Sequence, residues 1–120
     1  MENVIAKEPW GIIVEISKKD WKLFMEKIGQ WQESYMDKLT KEYAEMLMGS
    51  GGASEKFWAL DERIKEDKKK PGVQLRLSKP DTDLHIAMLI KDGVIGFADL
   101  EDFSEELQER CRNLMRLWNE

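Results

Sequence analysis

Large apolar side chains recur at Trp21, Phe24, Met25, Ile28, Trp31, Tyr35, Leu39, Tyr43, Met46 and Leu47. Steps of three and four dominate, which is the period of an α-helix with one apolar face. The stripe advances at about 3.67 residues per turn, so a straight helix fits better than the 3.5-residue repeat of a left-handed coiled coil. The pattern predicts one long helix from Ser17 to Met48, and the rest of the chain is short beside it. Ser17 suits the N-cap, with Asp20 at the third helical position of a capping box. Gly49 suits the left-handed residue that closes a helix. Such a helix is roughly 46 Å long, whereas a compact domain of this size has a radius of gyration of roughly 13–14 Å. It must therefore project, bend, or find a partner along its far half. Gly29 is its weakest point, because glycine costs about 1 kcal/mol relative to alanine in mid-helix.

The flanking segments alternate between strand and helix signals. Residues 1–9 are polar and read as frayed. Ile12 to Ile16 is a short β-branched run, which predicts a strand. Gly49, Ser50, Gly51 and Gly52 form a flexible break over 49–53; without a lysine or a preceding strand it does not match a phosphate-binding loop. Ser54 caps a predicted second helix from Glu55 to Asp67, with Phe57, Leu60, Asp61 and Ile64 on one face and Trp58 at its edge. Lys68, Lys69 and Lys70 then extend the chain beyond a helix C-terminus, where positive charge is favoured. Val73 to Ser78 alternates apolar and polar residues, which predicts a half-buried strand paired with residues 12–16.

Leu84, Ala87, Met88 and Lys91 have helical spacing, and Thr82 or Asp81 can cap a short helix ended by Gly93. The alternative makes residues 82–97 a β-hairpin turning at Asp92-Gly93, which would complete a four-stranded antiparallel sheet. A last helix follows, capped by Asp102 or Ser104, with Phe103, Leu107, Cys111, Leu114, Met115 and Trp118 as its buried stripe. The expected fold is a single α+β domain over 1–120, mostly helical, in the order β-α(long)-α-β-α-α with a small two-stranded sheet.

Composition narrows the function classes. Twenty-four acidic residues against nineteen lysines and arginines leave a net charge of −5, which argues against non-specific binding to nucleic-acid phosphates. Residues 82–118 have the outline of a helix-turn-helix, but the would-be recognition helix begins with acids where bases and phosphates call for basic or amide side chains. The longest apolar run, Ile86 to Ile90, is far short of the roughly 20 residues of a membrane helix. A single cysteine and no recognisable secretion signal lead us to expect a cytoplasmic protein.

Candidate chemistry is sparse. His85 is the only histidine and Cys111 the only cysteine, and there is no His or Cys pair at metal-ligand spacing. We expect no catalysis, no metal and no cofactor. Two binding readings remain. In the first, the chain is a protein-interaction or regulatory module that meets another protein, or a second copy of itself, through an aromatic and methionine helix face: Trp31, Tyr35, Met36, Tyr43 and Met46. In the second, it is an inhibitor or antagonist of the immunity, antitoxin or anti-defence (anti-CRISPR) type. That protein would set an acidic face (Asp99, Glu101, Asp102, Glu105, Glu106 and Glu109) against a basic, nucleic-acid-handling target.

Overall fold

The computed structural model describes the backbone of residues 7–8 and 11–12 and, in full, residues 15–119. The chain is helical. Among the described residues four α-helices follow in order: α1 (Lys18–Met48), α2 (Ala53–Asp67), α3 (Thr82–Lys91) and α4 (Glu105–Trp118). Single 3-10 turns at Lys79–Asp81 and Phe97–Leu100 lead into α3 and out towards α4.

The α+β expectation is overturned, because the predicted sheet does not form. Residues 74–78 run without a ladder partner; Leu75 and Leu77 instead lie half-buried against the core. Their alternation records one-sided burial of an irregular segment, not strand pairing. Of the predicted strand 12–16, Ile13 and Val14 lie outside the described residues, and Glu15 and Ile16 belong to no strand as the chain enters α1. The pairing that exists among the described residues is a two-residue antiparallel contact of Lys7–Glu8 with Gly11–Ile12, too short to make a layer. Most of the frayed stretch expected over 1–9 lies outside the described residues.

The β-hairpin alternative for residues 82–97 is also overturned, in favour of helix α3. Its end explains why. Gly93 adopts φ +77°, Gly93 N donates to Ile90 O at 3.0 Å and Val94 N donates to Leu89 O at 2.9 Å. These are the two bonds of a Schellman cap, which needs a residue in the left-handed region. Elsewhere two caps shift. Gly49 is extended rather than left-handed, and α2 starts at Ala53 with Gly52, not Ser54, as its cap. Glu55 Oε1 accepts from Gly52 N at 3.1 Å.

The four helices make two regions that share α1. At one end, Phe24 and Ile28 of α1 pack with Ile86 and Leu89 of α3, Leu107 and Cys111 of α4, and Ile16, Ile95, Leu100 and Phe103 from the connections. Trp31 borders this core, its ring 6.3 Å from both Phe24 and Phe103. We call it the base. At the other end, the second half of α1 and all of α2 form an antiparallel helical arm. The molecule is correspondingly long, 64 × 29 × 22 Å, with a radius of gyration of 18.2 Å where a compact chain of this length would have about 14 Å. Helix α1 runs unbroken through Gly29, so the long helix resolves its excess length by projecting.

Candidate interaction surfaces

A buried carboxylate ties the base together. Asp20, in the first turn of α1, is only 4% exposed. Its Oδ1 accepts from Ser104 N at 3.0 Å and its Oδ2 accepts from Ser104 Oγ at 2.6 Å. Ser104 in turn caps α4 by accepting from Leu107 N at 3.2 Å, and Ser17 caps α1 by accepting from Asp20 N at 3.0 Å. One acid therefore joins two helix N-termini, where negative charge is favoured. Asp83 does similar work across α3 and α4, with Arg110 Nε donating to its Oδ2 at 2.9 Å.

A second buried acid holds the arm. Asp67 is 2% exposed. Its Oδ2 accepts from Tyr43 Oη at 2.6 Å and from Arg63 Nε at 2.9 Å. Lys70 Nζ lies 3.2 Å from Oδ1, off hydrogen-bonding direction, so that oxygen is held by charge. Arg63 also pairs with Glu42 and lies over the Tyr43 ring, 5.4 Å from its centre. Burial pushes the Asp67 carboxyl up, but the Tyr43 hydroxyl, Lys70 and Arg63 together outweigh it and leave its pKa lowered. Burial, then the bond to Asp67, raises Tyr43 to about 12. At the root of the arm, Gln32 Nε2 donates to Pro71 O at 2.9 Å, and Gly72 presses on Tyr35 so closely that a Cβ there would lie 2.4 Å from the ring.

The anticipated aromatic and methionine face is divided by this packing. Trp31 borders the core, and Tyr35 is buried beneath Gly72. Met36 is exposed, and with Leu39, Tyr43, Ile64, Lys68 and Val73 it lines an apolar groove of about 290 Å³ along the arm. Met46 is half-buried, its sulfur 3.9 Å from Arg63 Nη1. The five residues do not share one open surface.

The acidic residues do lie outside. Asp99, Glu101, Asp102, Glu105, Glu106 and Glu109 are all exposed. Asp99 Oδ2 accepts from Gly96 N at 2.8 Å, Asp102 faces Lys27 at 3.9 Å, and Glu109 pairs with Arg112 at 2.8 Å. Among the described residues, Glu101, Glu105 and Glu106 have no cation within ion-pair distance.

A third surface was not anticipated: the free end of the arm. Phe57 and Trp58 are each 62% exposed and Met48 is 84% exposed, and Leu47, the residue before Met48, is exposed as well. The pairing of Tyr43 with Asp67 and of Met46 with Arg63 sets the register of the two helices. Carried forward, it places Met48 level with about Asp61, and the first turn of α2 beyond the end of α1. Phe57 and Trp58 consequently sit beside the glycine connection, which offers only the small Ser50 side chain to cover them. Their rings meet edge-to-face at 4.9 Å and 86°. One signal was available in the sequence. Adjacent residues on a helix point about 100° apart, so two neighbouring aromatics cannot both face a single partner helix.

The groups with chemical potential are quiet. Cys111 is fully buried, its Sγ 3.6 Å from Asp83 O, and burial pushes its thiol up to about 12, far from the reactive thiolate. His85 is buried in α3, and its Nδ1 has no hydrogen-bond partner among the described residues. Among the described residues no three acidic, histidine or cysteine side chains gather at metal-binding distance, and no helix is long and apolar enough to cross a membrane. The chain matches no protein-family model, no curated protein and no solved structure.

Proposed function

We propose that this protein is a cytoplasmic protein-interaction or regulatory module without catalysis of its own, and that the helical arm is its contact element. The observation that carries the reading is the apolar end of the arm. Large side chains are left in water at the tip of a structure whose root is held by buried polar bonds. Exposed apolar clusters of this kind are typical of contact sites. The test is capture of partners from lysate of the source cells by the tagged full chain, compared with a Phe57→Ala/Trp58→Ala variant. A partner recovered stoichiometrically with the wild type and lost with the variant supports the reading. Equal recovery by both removes the arm from the interface.

A second reading is favoured by the acidic surface. The six carboxylates of residues 99–109 are all exposed, and four of them (Asp99, Glu101, Glu105 and Glu106) lack a cation within ion-pair distance among the described residues. On this reading the chain is an antagonist that docks on a basic, nucleic-acid-handling protein. Charge reversal at Glu101, Glu105 and Glu106 would then abolish capture, and capture would fall steeply with salt.

A further inference from the structure

We propose that the end of the arm seats in an apolar cleft of a partner protein, and that lysine or arginine side chains rim that cleft. The inference rests on the arm as contact element and adds the chemistry of what it contacts. Leu47, Met48, Phe57 and Trp58 supply the apolar part. Trp is enriched among interface residues that dominate binding energy, and here the Phe57–Trp58 pair is already in edge-to-face contact before any partner arrives.

The charges around the patch choose the partner. Along the arm, three charged pairs are matched: Lys41 with Asp37 at 2.9 Å, Lys65 with Asp61 at 3.0 Å, and Glu42 with Arg63. Three acids near its end are left over. Glu55 and Glu62 lie three residues before and four after Trp58, on the same side of α2, and Glu45 stands in the same relation to Met48. All three are exposed, and among the described residues none has a cation within ion-pair distance; of the nearby positive side chains, Lys65 is already paired with Asp61, which leaves Lys56 against three carboxylates. The rim is therefore negative. A membrane of anionic lipid would be repelled by it. A second copy meeting end to end would set one negative rim against another. A basic-rimmed apolar cleft answers both the patch and its charge.

Panning a phage-displayed library of random peptides on the immobilised full chain tests this without a known partner. The expected winners combine bulky apolar residues with lysine or arginine. Their binding to a Phe57→Ala/Trp58→Ala variant, checked for intact fold by circular dichroism, should fall at least about tenfold. A Glu45→Lys/Glu62→Lys variant, or a rise in salt from about 0.05 to about 0.5 M, should weaken it several-fold. Winners that need Phe57 and Trp58 but lack basic residues and ignore salt would overturn the partner chemistry while leaving the arm as contact element. Winners indifferent to the arm but lost on charge reversal at Glu101, Glu105 and Glu106 would overturn both. So would an absence of enrichment. Flotation with phosphatidylglycerol vesicles, or self-association in sedimentation, would replace the partner if either depended on Phe57 and Trp58.

Discussion

The two ends of α1 are stabilised in different ways. Around Phe24 and Ile28 the helix meets α3, α4 and three connections in a shared apolar core, with the Asp20–Ser104 bonds at its edge. Around Tyr43 and Met46 it packs against α2, and the bonds between them are polar: Tyr43 with Asp67, and Glu42 with Arg63. Two helices alone enclose few side chains, Leu39 and Asp67 among them, so the arm has less apolar surface to bury than the base. A charged network is the alternative, and it depends on geometry because a buried carboxylate without its partners is costly. The base is where apolar burial stabilises the fold, and the arm is where large apolar side chains stay exposed.

The most severe way to break that division is at the base. Phe24 is fully buried, and Phe24→Ala should cost about 3–5 kcal/mol through lost burial and a residual cavity. Thermal denaturation followed by circular dichroism should show a fall on the order of 10–20 °C. Retention of the wild-type melting temperature would mean that the base is not the stabilising unit.

Next comes the node of the arm. Asp67→Asn keeps the shape but removes the charge shared by Arg63 and Lys70, and should cost about 1–3 kcal/mol. Hydrogen exchange should quicken in α2 and leave α3 and α4 unchanged. A uniform increase across all four helices would show one cooperative unit instead of two regions.

Acid and base should separate the regions more gently. The Asp67 pKa is lowered in the fold, so its contribution is present above the ordinary carboxyl range and is lost as pH falls through the folded value. Tyr43 is raised from 10.0 to about 12. Its contribution is complete below pH 10.0 and is lost as pH rises towards about 12. Trp58 fluorescence, read with the other four tryptophans replaced by phenylalanine, should change alongside tyrosinate absorbance in that alkaline window. The same replacement carrying Tyr43→Phe should lack the linked change.

The smallest effect is expected at Gly29, which is exposed and where a Cβ meets nothing within 4 Å. Gly29→Ala should stabilise by about 0.5–1 kcal/mol, measured by urea denaturation. A loss instead of a gain would mean that α1 needs freedom at the junction of base and arm.

The helices were legible in the sequence because their signals are local. Ser17 and Ser104 cap α1 and α4 as their positions suggest, and Gly93 with Val94 closes α3. The sheet was misread for a physical reason. Alternation at Val73, Leu75 and Leu77 reports that one side of a segment is buried; it does not say whether another strand lies alongside. The acidic surface followed from composition, since clustered carboxylates seldom bury. The exposed pair Phe57 and Trp58 was hidden, because its exposure depends on the offset between α1 and α2. That offset is set by Tyr43, Arg63 and Asp67, residues whose meeting no local pattern announces. Asp20 was read as a capping residue of its own helix, and its bond to Ser104, 84 positions away, is equally invisible to short-range reading.

The unbroken α1, with α2 folded back through four small residues, also makes reach an independent quantity. Seven residues added to each helix of the arm would carry its tip about 10.5 Å further while rotating it only about 20°. None of the side chains around Phe24 would need to change. Length, aim and foundation are thus set by separate stretches of chain, and a lineage or a designer could alter one without renegotiating the others.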